Sequence, residues 1–272
     1  MIHAPLLCLL TLLLAQPTLA RAEADIIIAM EEADNRPYSV AHNDGSMGGF
    51  HYELLNQAAK NAGFNIRWLA LPWNRALKSL EVGTVHAVTY ISPSAERNKY
   101  AIFDDGNFLH FEEICLFTRA EKAATLRWDG QITNLPPLQY AFLTNYMVSS
   151  ELEKVKPTLD FTQVTGQLTN LISMLQAGRF DAFFYARSPV EENEVFKASK
   201  SMVVVEPCFR GDNRYVAFTK ATQEGKEWNN RMRDALAAFR KTNDYTALLK
   251  KYHFEFLLKK TVASRKKTKV PE

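Results

Sequence analysis

The sequence predicts an α/β protein of two lobes with similar build, each a mostly parallel sheet flanked by helices. Three observations carry that prediction. From Ile26 onward, apolar runs suited to strands alternate with segments of helical periodicity, the pattern of βαβ units. The stretch Arg75 to Tyr90 (RALKSLEVGTVHAVTY) aligns without gaps on Asn170 to Tyr185 (NLISMLQAGRFDAFFY), with Leu80, Gly83, Ala87 and Tyr90 matched by Leu175, Gly178, Ala182 and Tyr185. The chain has 272 residues, 47% apolar and 23% charged, which is ordinary globular composition and enough for one large domain or two smaller ones. That composition excludes disordered, collagen-like and coiled-coil readings.

Taken in order, Ile26 to Met30 is a buried-strand run, and Arg36-Pro37-Tyr38 through Asn43-Asp44-Gly45 reads as loop and turn. Phe50, Leu54, Leu55, Ala58 and Ala62 recur at helical spacing until Gly63, and Asn65 to Leu71 alternates as a second strand. Ala76, Leu77 and Leu80 mark a helix stopped by Gly83, and Val85 to Ile91 makes a third strand. In the echoing segment, Leu168, Leu171, Ile172 and Leu175 give the helix an apolar stripe. Near the end, Trp228, Met232, Ala235, Leu236 and Phe239 share one helical face, followed by Tyr245, Leu248, Leu249 and Tyr252, which cover a lobe.

The first 22 residues stand apart. Leu6 to Leu14 is apolar except for Thr11 and gives way to Gln16, Pro17 and Ala20-Arg21-Ala22, the form of a secretory signal cleaved after Ala22. Export leaves Cys115 and Cys208 in a compartment where a disulfide is allowed but not required. No Cys or His cluster has metal spacing, no glycine-rich phosphate loop is present, and no cofactor is expected. Net charge is +3, but six basic residues lie in the tail from Lys259 to Glu272. The body is mildly acidic, which argues against nucleic acid as a partner, and the tail is read as a solvated, disordered end.

The order RPY, GGFHYELL, LPWNRAL, LEVGTVHAV, SPSAER and LQAGRFDAFFY resembles the periplasmic solute-binding proteins of polar amino acid uptake systems, the family 3 extracellular binding proteins with the type II periplasmic fold. The resemblance spans almost the whole mature chain. It implies two lobes joined by two crossing strands that act as a hinge, with a ligand closed between them. Lobe 1 is then formed by residues 23–117 and 215–258 and lobe 2 by 118–214, the chain crossing out near Leu116 to Arg119 and returning near Arg214 to Thr219. The implied partners are a small carboxylate-bearing solute and a membrane permease or sensor, and the protein is expected to act as a monomer.

Local chemistry supports a carboxylate site. Ser92-Pro93-Ser94-Ala95-Glu96-Arg97 follows a strand end, where open α/β sheets bind ligands, and an arginine fork with serine donors suits a carboxylate. The resemblance places the carboxylate grip on Arg97, with Thr89 and Ser92 adding donors. Trp73 falls where the family has a stacking aromatic, and Tyr38 is a second aromatic on the same grounds. In lobe 2, Thr144 sits in a loop positioned to donate to the carboxylate, and residues near Tyr185 close over the ligand. One departure stands out: the family's amino-acid binders follow this strand with an aspartate for the ligand ammonium, whereas Asp181-Ala182-Phe183-Phe184-Tyr185 runs into Ala186-Arg187-Ser188. This favours an anionic ligand held by Arg97 and Arg187, unless another acid such as Glu32 comes into reach. The alternatives to a transport receptor are a dehydratase-like enzyme on the same scaffold, for which His51, Glu53 and His86 are the candidate proton-transfer groups, and a sensory subunit.

Overall fold

The computed structural model describes residues 25–42, 44–255 and 257–258. The expected signal segment, with its cleavage site, and the basic tail lie outside the described residues. Among the described residues twelve strands occur: β1 (Asp25–Glu31), β2 (Asp34–Asn35), β3 (Ser39–Ala41), β4 (Met47–Gly48), β5 (Asn65–Leu71), β6 (Ala87–Ile91), β7 (Ala101–Ile102), β8 (Phe108–Arg119), β9 (Tyr140–Leu143), β10 (Phe161–Val164), β11 (Ala182–Ala186) and β12 (Met202–Thr219). The α-helices are α1 (Phe50–Asn61), α2 (Trp73–Val82), α3 (Ala120–Ala123), α4 (Ser150–Val155), α5 (Leu168–Gln176), α6 (Arg187–Glu192), α7 (Glu194–Ala198), α8 (Gln223–Phe239) and α9 (Asn243–Lys251). None of the described helices is long and apolar enough to cross a membrane.

One nine-stranded sheet runs β10-β9-β11-β8-β12-β6-β1-β5, with β7 paired to β12. Its two ends are parallel: β1 pairs in parallel with β5 and β6, and β9 with β10 and β11. The middle is the antiparallel pair of long strands β8 and β12. The halves are thus built alike, and the echo read in the sequence is α2–β6 on one side and α5–β11 on the other. Gly83 and Gly178, the two predicted helix stops, both have left-handed backbones, with φ of 79° and 70°. Only glycine reaches that conformation without a steric penalty.

The apolar stripes bury where their periodicity requires. Ile26, Ile28, Leu54, Leu55, Trp228, Met232, Leu236 and Leu249 form one lobe 1 core, on the side of the sheet covered by α1, α8 and α9. Ala76 and Leu80 of α2 join Ala29, Val88 and Ile91 in a second, smaller core. In lobe 2, Leu168, Leu171, Ile172 and Leu175 pack with Phe117, Phe142, Phe183 and Phe184.

Three features add to or differ from the sequence reading, which had left the pairing of Cys115 and Cys208 open. The Arg36 to Gly45 region is not all loop, since β2, β3 and β4 form a small antiparallel sheet there; strands of two or three residues carry too little pattern to be recognised. The outward crossing comes earlier than Leu116: β8 pairs with β11 from Ile114 on, and Ile114 to Phe117 pack into the lobe 2 core. Finally, Cys115 and Cys208 are joined by a disulfide, which pins β8 to β12 where Cys115 lies opposite the residues between Val205 and Phe209.

Candidate functional site

The carboxyl ends of four of the six parallel strands, β1, β5, β9 and β10, lead into residues that line one cavity. β1 ends at Glu31, β5 leads into Pro72 and Trp73, and β6 leads into Ser92 to Arg97. From lobe 2, β9 leads to Thr144, β10 to Thr165 and β11 to Arg187. This is where an open α/β sheet offers loops rather than paired backbone to a ligand. A cavity of about 750 Å³ lies there, walled on the lobe 1 side by Glu31, Glu32, Asp34 and Trp73, and on the lobe 2 side by Thr144, Tyr146 and Gln167.

Direct bonds join the two walls. Trp73 Nε1 donates to the Asn145 carbonyl at 3.2 Å, Asn145 Nδ2 to Asn74 Oδ1 at 3.1 Å, and Gln167 Nε2 to the Glu32 carbonyl at 2.6 Å. Asn145 holds φ at 60°, a left-handed backbone that asparagine tolerates better than most residues. That turn aims its carbonyl at Trp73 and leaves Tyr146 next to the cavity.

The cavity wall is acidic. Asp34 is satisfied by a two-pronged bond from Arg36. Glu31 receives only Asn35 Nδ2, at 3.0 Å; burial pushes its carboxyl up to about 7, against the opposing effect of that bond. It makes no salt bridge among the described residues, so it is an acid without a counter-ion facing an open space.

Beneath the cavity, where the crossing strands pass, lies a buried charged network. Glu112 on β8 is fully buried and Arg214 on β12 is 2% exposed. Two guanidinium nitrogens of Arg214 donate to Glu112, a third contact goes to Ser92 Oγ, and another reaches the Val148 carbonyl in lobe 2 at 3.2 Å. Tyr90, with φ of 64°, sends its hydroxyl to the other Glu112 oxygen. Burial pushes the Glu112 carboxyl up, but Arg214, His110 and Tyr90 outweigh it and hold the group at about 2. His51 and His110 lie alongside, hydrogen-bonded at 2.9 Å, and burial pushes both imidazoles down, so they are neutral.

The sequence-predicted residues divide among these regions. Trp73 and Thr144 wall the cavity, although the Thr144 hydroxyl is turned to the Val164 carbonyl at 3.3 Å. Arg97 is 7% exposed; it donates to the Ser92 carbonyl at 3.0 Å, lies over the Trp73 ring at 5.5 Å and makes no salt bridge among the described residues. Burial and the neighbouring Arg214 both push its guanidinium down from the usual value. Ser92 sits behind the wall, its hydroxyl taken by Arg214, and Thr89 is fully buried with an unpartnered hydroxyl. Tyr185 is buried and stacks at 5.0 Å on Tyr146.

Two expectations need correction. Tyr38 is not a cavity wall: it is 4% exposed in the lobe 1 core, stacked on His110 at 4.0 Å and Phe254 at 5.3 Å. Arg187, expected as a second cation for the ligand, does not line this cavity and is instead paired with Glu191, Glu206 and Glu113 at 2.9, 2.9 and 3.3 Å. Glu191 stands four residues on along the same helix, a spacing the sequence shows, whereas Glu113 and Glu206 come from the two crossing strands and left no local signal. The groups considered for proton transfer are also engaged elsewhere: His51 with His110, Glu53 with Lys251 and Tyr252, and His86 with the Ile27 amide.

Comparison with known proteins agrees with this architecture. The model of bacterial extracellular solute-binding proteins, family 3, matches residues 26–255, and the chain belongs to that family. Comparison with curated protein sequences finds no match. Among solved structures, a histidine kinase sensor domain with similarity to periplasmic binding proteins is 20% identical with a TM-score of 0.71, covering 85% of this chain and 96% of its own. The substrate-binding protein of an amino acid ABC transporter is 18% identical with a TM-score of 0.64, covering 84% and 99%. An ancestral arginine-binding protein bound to arginine is 16% identical with a TM-score of 0.69, covering 84% and 97%. The protein therefore has the two-lobed fold of periplasmic binding proteins.

Proposed function

We propose that this protein is an extracytoplasmic receptor for a small amino-acid-related solute that carries a cationic group and a carboxylate, and that its closed form is presented to an ABC-type permease. The observation that carries the reading is a pair of groups without salt bridges among the described residues on either side of Trp73 and Asn74: Glu31 on the cavity wall, and Arg97, which lies over the Trp73 ring and lines a neighbouring pocket with Asn74 and Asn145. An unneutralised buried charge is costly, and a zwitterionic ligand supplies both missing partners. The cation takes the Glu31 end, in the role that the absent lobe 2 aspartate would have filled, and the carboxylate is directed toward Arg97. Trp73 offers an apolar face between them. Family membership and the amino-acid-binding neighbours support this class of ligand. The fold's occurrence in a kinase sensor domain supports a second reading, in which the same closure is passed to a signalling partner.

Closure follows from contacts made better when the lobes meet. Ligand binds first to lobe 1 through Glu31, Trp73 and Arg97, and the Thr144 to Tyr146 and Gln167 loops then close over it.

The protonation of Glu31 gives a direct test. In the empty protein its carboxyl is held near pH 7, above the unfolded value, so its contribution to stability is present below about pH 4.5 and is lost as pH rises through 7. A cationic ligand selects the ionised form, so binding below pH 7 must expel a proton. Affinity for a basic amino acid is expected to rise by up to about tenfold per pH unit between pH 5.5 and 7 and then level off. Calorimetry across that range reads the slope, and in Glu31→Gln the slope should vanish along with about tenfold or more of the affinity. A pH-independent wild-type affinity would remove Glu31 from the site.

A further inference from the structure

The two halves of the proposed site are separated by a seam that one residue of lobe 2 closes. Glu31 faces the interlobe cavity, whereas Arg97 lines the neighbouring pocket with Asn74, Lys78, Glu96 and Asn145. Trp73 stands between them, walling the cavity and holding the Arg97 guanidinium 5.5 Å from its ring centre. Asn74 borders both spaces. Along the lobe 2 loop, Thr144 and Tyr146 line the cavity, while Asn145 between them lines the pocket. Two bonds cross from lobe to lobe at this boundary: Trp73 Nε1 donates to the Asn145 carbonyl at 3.2 Å, and Asn145 Nδ2 donates to Asn74 Oδ1 at 3.1 Å. The second joins the side chains of two exposed residues.

We propose that Asn145 is a gate between the two spaces, its side-chain amide tied to Asn74 where a ligand joining Glu31 to Arg97 must pass. The proposal rests on the amino-acid reading above and adds a specificity-determining residue to it. The Asn145–Asn74 bond gives lobe closure a contact that needs no ligand. A ligand whose carboxylate crosses to Arg97 takes the place of that bond, so closure over it forfeits the contact. A ligand that stays in the Glu31 cavity keeps it. The gate therefore lowers the affinity of carboxylate-bearing ligands and leaves that of simple amines untouched.

Breaking the bond from either lobe should have the same effect. Titration calorimetry would compare wild type, Asn74→Ala, Asn145→Gly and the double variant with two matched pairs, arginine against agmatine and lysine against cadaverine, each amine lacking only the carboxylate. Glycine accepts the φ of 60° at position 145, alanine suits the first turn of α2, and both positions are exposed, so either variant carries the test if the other does not fold. Each single variant is expected to bind the better amino acid about threefold more tightly than wild type does, the value of one exposed hydrogen bond, with the matching amine unchanged. The double variant should gain no more than either single one, because both remove the same bond. Weaker amino-acid binding in Asn145→Gly alone would make Asn145 a direct ligand contact, and an equal loss for amino acid and amine in both variants would make the bond a clasp that the complex keeps. Either outcome overturns the proposal while leaving the receptor reading standing. Unchanged amino-acid affinity, or a gain shared equally by the amines, overturns it as well. If wild type binds no member of either pair, the amino-acid reading falls and this inference with it.

Discussion

Glu112→Gln is expected to destabilise the protein by about 3–5 kcal/mol, the largest effect of any single side-chain substitution considered for this molecule. Gln is nearly the same size and still accepts hydrogen bonds, so the loss is one of charge. Arg214, 2% exposed and held by Glu112 from a position 102 residues away along the chain, would be left as a buried cation next to a second guanidinium, that of Arg97. In a protein of this size the loss corresponds to a fall in unfolding midpoint of roughly 10 °C. Acid should have a related effect. Glu112 is held at about 2 in the folded state, below its unfolded value, so the stability it confers is present above about pH 4.5 and is lost as pH falls toward 2. Replacing both partners with apolar residues, as in Glu112→Leu with Arg214→Met, should recover most of the lost stability, because a pair removed together leaves no orphan charge. A Glu112→Gln variant as stable as wild type would mean that the network is wet and weakly coupled.

Removing the disulfide is expected to cost about 4–5 kcal/mol. Cys115 and Cys208 close a loop with a sequence separation of 93, and the denatured chain gains that much conformational freedom once the link is gone. The loop contains most of lobe 2, so the bond restrains one whole lobe against the crossing strands. Cys115→Ala with Cys208→Ala avoids leaving two free thiols, and denaturant unfolding with and without ligand would measure the loss. The ligand-binding groups lie on other segments, so affinity in the folded variant should change little. A variant within about 1 kcal/mol of wild type would show that the β8–β12 pairing already restrains the loop in the denatured ensemble.

The fold was legible because its main elements repeat a strong pattern. The Arg75 to Tyr90 echo became α2–β6 and α5–β11 with matching bounds, since a helix stripe, a glycine stop and an apolar strand are all local signals. The candidate site was legible only in part. Arg97 and Trp73 follow strand ends and could be placed by strand order, but the direction of a side chain is set by partners far away in sequence. Tyr38 went into the core because His110 and Phe254 offered ring faces to it. Arg187 went to Glu191, four residues on in its helix, and to Glu113 and Glu206, which no local spacing connects to it. Glu112 and Arg214 were not distinguishable in the sequence, since Glu113 adjoins the first and Arg210 and Asp212 precede the second, and only the β8–β12 register brings them together. Glu31 fell just past the Ile26 to Met30 run read as a strand, and the structure makes it the last residue of β1. Its importance comes from burial without a base, which composition cannot reveal.

The central claim is that the interlobe cavity takes a zwitterionic, basic solute between Glu31 and Arg97. It is tested most directly by thermal unfolding of a protein spanning residues 23–272, with common amino acids and with their matching acids lacking the ammonium, each at about 1 mM, on wild type and Arg97→Ala in parallel. A ligand of micromolar affinity adds about 4 kcal/mol to the wild type. The account predicts a clear midpoint shift with basic amino acids, no shift with the acids lacking a cation, and a shift in Arg97→Ala smaller by about 2–3 kcal/mol in a variant that still folds. A shift produced by the acids lacking a cation, or one with basic amino acids that Arg97→Ala leaves intact, would contradict it.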